Sequence, residues 1–220
     1  MRSIFELGNW DINTEIVLGS KAIVIDNFYR TPELIKDFIL TPMPNLWRAG
    51  FPGSRNGCDY QDRRSIVSLS DKSFEDHKKT FDIISQLINQ PAGEHSNNQS
   101  FISNVSKFHK TNFNNYRDNW WWPHRDRGYN AIVYLNDEFG DSEYTGTALF
   151  HPDGLQAKTN EGVDPWIPKF EYELVKHMKG KYNRCVLFDG KLFPHAMLID
   201  NDDWFQDFYR VNTVLFFDEV

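Results

Sequence analysis

The sequence predicts an α+β chain with its helices first and a β-sandwich or barrel behind them. Three observations predict this. The two long helical patterns both fall within residues 1–98. Residues 99–220 instead hold short β-branched and aromatic runs separated by turn residues. The chain has 220 residues, 40% of them apolar and 15% aromatic, which suits one sizeable core; single barrels and sandwiches often reach this length. It is therefore read as one domain, 1–220. Residues 1–98 form a lead strand and support helices, and residues 99–220 form the strand core, with an insertion at 155–181.

Lys21 to Phe28 reads as a first buried strand. Thr31, Pro32 and Glu33 then open a helix: an N-cap hydroxyl, a proline where no N–H is needed, and an acid at the positive end of the dipole. Leu34, Ile35, Phe38 and Ile39 give that helix an apolar face, and Pro42 and Pro44 end it. Asn45 to Arg64 has no steady period. It is either a solvated loop or a lid on the substrate side, since long loops often carry function. A second helix spans Ser73 to Asn89, with Phe74, Phe81, Ile84, Leu87 and Ile88 at helical spacing and His77 in a structural place.

Strands follow at Gln99 to His109, Tyr129 to Leu135 and Thr145 to Phe150. Trp120-Trp121-Trp122 either packs around a strand start or walls a substrate mouth. The polar insertion carries a short helix near Glu171 to Met178, with His177 solvated. Three last strands are expected at Arg184 to Phe188, Pro194 to Ile199 and Tyr209 to Phe217, the last two joined by the acidic turn Asp200 to Asp203.

The formal net charge of −7 argues against a general phosphate-backbone binder, so no nucleic-acid partner is expected. No apolar run approaches the length of a membrane span. Cys58 and Cys185 are far apart and form no CxxC. With no secretory apolar stretch after Met1-Arg2-Ser3, both thiols are expected unpaired in a reduced, cytoplasmic setting.

The chemistry gathers at Trp122-Pro123-His124-Arg125-Asp126, just ahead of an apolar strand. Residues i and i+2 of an extended segment face the same side, so one imidazole and one carboxylate share a space. Two histidines and a carboxylate on one face of a metal is the arrangement of non-haem Fe(II) oxygenases. A third ligand would come from His151, His177 or His195. His195 fits best, because it begins an apolar strand that can hold an imidazole at fixed geometry. Arg210 opens the most apolar strand of the chain. A buried guanidinium is costly unless a carboxylate meets it, and its fork suits a small dicarboxylate; the other possibility is a strand-end arginine that reaches solvent or an aspartate.

These pieces, in this order, resemble the iron(II)- and 2-oxoglutarate-dependent dioxygenases, and within them the prolyl 4-hydroxylase-type branch. His124-Arg125-Asp126 resembles the family's His-x-Asp, and Tyr134-Leu135-Asn136 the branch's Tyr-Leu-Asn strand. Thr145 to Phe150 resembles its Gly-Gly strand, with Thr145 replacing the first glycine. Val186 to Asp189 with Pro194-His195 resembles the stretch carrying the distal histidine. Arg210 with Val214 to Phe217 resembles the last core strand, although Arg210 stands farther from His195 than is usual in that branch. Ile25 to Phe38 resembles its lead-in strand and helix.

The resemblance implies a double-stranded β-helix, jelly-roll or cupin-like, with flanking N-terminal helices. It implies that His124, Asp126 and His195 hold Fe(II). It implies that Arg210 and Tyr134 hold the C5 carboxylate of the cosubstrate 2-oxoglutarate, and that O2 is the oxidant. No residue is carried over for the C1 carboxylate. The implied activity is hydroxylation of a peptidyl, amino-acid or other small substrate with release of succinate and CO2; Asp126 disfavours a halogenase. Two other readings remain: a non-catalytic jelly-roll ligand-binding module, and a cupin-type metalloenzyme that uses no 2-oxoglutarate.

Overall fold

Alternation in the strands decides how the layers stack. In β9 (Arg184–Asp189), Cys185 and Leu187 enter one apolar cluster and Val186 and Phe188 another. In β6 (Gly128–Tyr134), Tyr129, Ala131 and Val133 join the first cluster and Tyr134 the second. A strand that is apolar on both faces must be covered on both, and here it is. The computed structural model describes residues 4–40, 48–49, 62–65, 71–89, 103–108, 123–126, 128–138, 145–154, 172–199 and 210–218.

The first cluster lies between two helices and a large sheet. Helix α1 (Pro32–Leu40) contributes Ile35, with Phe38 and Leu40 packed beside it. Leu34 stands out in solvent instead of joining that face, a departure from the sequence expectation. The amide of Leu34 donates to the carbonyl of Thr31, closing the first turn over Pro32. Helix α2 (Asp71–Ile88) buries Phe81, Ile84 and Ile88 at helical spacing, and the Phe81 ring meets Phe217 with centroids 4.8 Å apart. Fully burying one such side chain stabilises the fold by roughly 1.5–3 kcal/mol.

The large sheet is mixed in origin and antiparallel throughout. It adds β1 (Asp11–Val17), β2 (Ser20–Asp26), β3 (Arg48–Ala49), β4 (Asp62–Ser65), β5 (Ser103–Phe108) and β11 (Arg210–Asp218) to β6 and β9. Its order is β1-β2-β9-β6-β11-β5-β4-β3. A small sheet, ordered β10-β7-β8, consists of β7 (Thr145–Phe150), β8 (Leu174–Lys179) and β10 (His195–Ile199). The second cluster fills the space between the sheets: Tyr134, Val186 and Phe188 from one, Leu149 and Met178 from the other. The architecture is thus a β-rich, jelly-roll-like pair of antiparallel sheets with two helices on one outer face.

One expected element is corrected and one strand is new. Leu174 to Lys179 is strand β8, paired with β7, not a helix. Edge position explains the misreading, since only Met178 of β8 is fully buried and Leu174 and Lys179 at its ends are exposed. Strand β1 was not anticipated. It is an edge strand exposed at six of its seven positions, joined to β2 by a tight turn in which Leu18 and Gly19 both take positive φ. The side chains of Asn45 to Arg64 with Cys58, the side chain of His77, Trp120 to Trp122, residues 155–171 and the acidic turn lie outside the described residues, as do Pro42 and Pro44. No described helix is long and apolar enough to cross a membrane.

Candidate metal centre

His124 and His195 are opposed across an isolated antiparallel bridge. Their backbones exchange both hydrogen bonds: His124 N donates to His195 O at 3.1 Å and His195 N to His124 O at 2.9 Å. Directly opposed residues project to one side, and the two imidazoles lie with centroids 4.5 Å apart. Asp126 follows two residues after His124. Its amide donates to Gly190 O, 2.9 Å away in the turn between β9 and β10. Donor atoms of His124, Asp126 and His195 consequently fall within 4.8 Å of one another.

His195 is 4% exposed, with Phe188 edge-on to its ring at 4.8 Å. Its Nδ1 lies 3.1 Å from Phe193 O. A carbonyl only accepts, so this contact places a hydrogen on Nδ1 and, in the neutral ring, leaves Nε2 as a bare lone pair. That Nε2 is 3.1 Å from Asp126 Oδ2. Two lone pairs at this distance repel unless positive charge sits between them, as a proton on Nε2 or as a cation. Cis ligand atoms around an octahedral ion, each roughly 2.1 Å from it, stand about 3 Å apart.

Asn130, on β6, stands beside both groups. Its Nδ2 donates to Asp126 Oδ2 and lies 3.1 Å from His195 Nε2. Burial opposes ionisation of Asp126. With the two imidazoles protonated, a hydrogen bond from His195 and their positive charge, together with the Asn130 amide, outweigh it and hold the carboxyl well below its usual range.

Tyr134 and Arg210 meet on the same inter-sheet side. Val211, Leu215 and Phe217 of β11 point to the helices, which turns Arg210 and Asn212 the other way. Asn212 is paired with Tyr134 in the ladder. The Arg210 guanidinium carbon sits 5.5 Å from the centre of the Tyr134 ring. Burial pulls the guanidinium down to about 10, opposed by Tyr134. Burial likewise pushes the Tyr134 phenol up to about 12, against the charge of Arg210. The Tyr134 hydroxyl is 2.7 Å from Thr147 Oγ1 on the facing strand. Asn136 fixes this corner: its Oδ1 accepts from Val211 N at 2.6 Å, while Leu135 N donates to Val211 O.

The other two candidate histidines lie elsewhere. His151 follows β7 and turns to Asp153, accepting from its amide at 3.3 Å. His177, on β8, is half-buried with Nε2 2.9 Å from Thr145 O, not solvated as expected. Neither belongs to the three-residue group. Sequence reasoning missed Asn130, Thr147 and Gly190. A signal for Asn130 existed: it shares the period-two face of Ile132 and Tyr134, where a polar residue in a buried strand calls for a partner.

No family model matches the sequence, and no curated protein matches it. Among solved structures, the fold is similar to that of the non-heme alpha ketoglutarate dependent epimerase SnoN from nogalamycin biosynthesis. The TM-score is 0.51 at 13% identity, over 90% of this chain and 78% of that one. At such identity the likeness is one of fold.

Proposed function

We propose that this chain is an Fe(II)- and 2-oxoglutarate-dependent dioxygenase that hydroxylates a small-molecule, amino-acid or peptidyl substrate. One observation carries the reading: His195 Nε2 and Asp126 Oδ2 face each other at 3.1 Å, with His195 Nδ1 already committed to Phe193 O and His124 alongside. This donor set, two imidazoles and one carboxylate, fits a divalent iron with open positions. Strand order supports the double-stranded β-helix: β5-β11-β6-β9 in one sheet faces β10-β7-β8, which the His124 bridge extends.

Bound iron, with 2-oxoglutarate and O2, would supply the oxidation. The chain's residues do the rest. His124, Asp126 and His195 would hold the metal, with Phe193 O setting the tautomer of His195. Arg210 would take the far carboxylate of 2-oxoglutarate in a two-pronged contact, and the Tyr134 hydroxyl, 2.7 Å from Thr147, would donate to it. Their burial excludes water and strengthens both contacts. The prolyl 4-hydroxylase-like branch is favoured by the Tyr134-Leu135-Asn136 run, because Asn136 and Leu135 clamp the residue next to Arg210.

The likeness to an epimerase motivates a second outcome, inversion at a substrate carbon. The test is succinate formation from 2-oxoglutarate with Fe(II), O2 and a panel of small and peptidyl substrates. Succinate well above that from Asp126→Ala supports the dioxygenase, and the product separates the two outcomes: hydroxylation adds one oxygen, and epimerisation leaves the mass unchanged. Metal binding without succinate above the Asp126→Ala level would favour a ligand-binding module or a cupin-type enzyme.

A further inference from the structure

Asn130 is 1% exposed and carries one amide nitrogen against two acceptors. Nδ2 donates to Asp126 Oδ2 and lies 3.1 Å from His195 Nε2. An NH2 group has two hydrogens, so one residue can serve both. The amide cannot be turned round, because its oxygen would then oppose the Asp126 carboxylate. Space for it is reserved. A Cβ at Gly190 would stand 2.8 Å from Asn130 Nδ2 and 2.8 Å from Gly128 O, and Gly190 O is itself the acceptor for Asp126 N. The same turn therefore seats the ligand backbone and leaves room for the amide.

We propose that Asn130 is a positioning residue for the metal centre, holding Asp126 Oδ2 and His195 Nε2 side by side with one amide. The inference rests on the metal reading given above. While no cation is bound, its two hydrogens partly neutralise the facing lone pairs. When a cation takes the lone pair of His195, the second hydrogen is released and the bond to Asp126 remains, fixing which carboxylate oxygen faces the metal. Groups acting on a ligand in this way typically change metal affinity 10- to 100-fold.

The test is titration of Co(II) into metal-depleted protein, read by calorimetry and by the visible spectrum of the bound ion, with thermal melting as the check on folding. Asn130→Leu keeps the volume and removes both donors; Asn130→Ser keeps a single donor. The expected result is Co(II) binding roughly 10- to 100-fold weaker in Asn130→Leu, an altered spectrum, an intermediate affinity in Asn130→Ser, and melting of the metal-free variants close to that of the parent. Parent affinity and spectrum in the folded variants would overturn the inference. If Asn130→Leu does not fold, Asn130→Ser decides alone; loss of folding in both would make Asn130 a structural residue and also overturn it. Parent protein that binds no Co(II), or binds it equally well after His124→Ala, would instead overturn the metal reading beneath.

Discussion

Arg210→Ala separates cosubstrate binding from metal binding. Arg210 is 4% exposed, its guanidinium carbon lies 5.5 Å from the Tyr134 ring centre, and burial pulls the group down to about 10. A bound carboxylate in that place would form a desolvated charge pair. Removing one member of such a pair costs roughly 2–5 kcal/mol. Because burial is nearly complete, the upper half applies, about 3–5 kcal/mol, or two to three and a half orders of magnitude in affinity. Arg210→Lys recovers only part, since an ammonium cannot make the two-pronged contact. Tyr134→Phe costs less, roughly 0.5–1.5 kcal/mol, for one hydrogen bond. The assay is calorimetric titration of 2-oxoglutarate into protein loaded with Mn(II) in place of Fe(II). Parent affinity in Arg210→Ala would refute the placement of the far carboxylate beside Tyr134.

Asp26 accepts from Arg184 Nε at 2.7 Å and Nη2 at 2.9 Å, and this hydrogen bonding lowers its pKa against the opposing effect of burial. The folded carboxyl thus titrates below its unfolded value, so the stabilisation is complete above about pH 3.9 and is lost as pH falls through the folded value. Asp26→Asn should cost about 1 kcal/mol at neutral pH after solvent screening and nothing in strong acid, as read by denaturation at several pH values; a pH-independent loss contradicts it. Gly146 takes φ 133°, and a Cβ there would lie 2.0 Å from Met178 O, so Gly146→Ala should lower stability by about 3–5 kcal/mol in urea; a loss under about 1 kcal/mol contradicts the register of β7 on β8. Cys185 is buried and its thiol pushed up by burial, so it should resist alkylation in the native protein and react after unfolding without reductant; reaction in the folded state contradicts its burial.

Much of the core was legible because its strands are apolar on both faces. Arg184 to Phe188 and Thr145 to Phe150 match β9 and β7 closely, and the pairing of His124 with Asp126 followed from period two alone. What escaped lies at the edges. Ile12 and Ile16 of β1 alternate as a strand should, yet both are exposed, and the turn uses Leu18 at φ 45°, where a glycine or asparagine would have signalled it. In β8, Lys176 reaches Glu15 of β1, so a charge that looked helical serves a sheet edge. The choice of His195 over His151 and His177 rested on local apolarity. What brings it to His124 is a backbone bridge spanning 71 residues of sequence, and no local pattern encodes such a contact. Thr147 escaped for a related reason: a polar residue in a strand shows its purpose only when its partner, here Tyr134 on the opposite sheet, is known.

If His124, Asp126 and His195 form one iron site, anaerobic titration of Fe(II) into metal-depleted protein gives one ion per chain, lost in each of His124→Ala, Asp126→Ala and His195→Ala while the melting transition persists, and retained in His151→Ala and His177→Ala. Full binding by His195→Ala, or its loss in either of the last two variants, would contradict it.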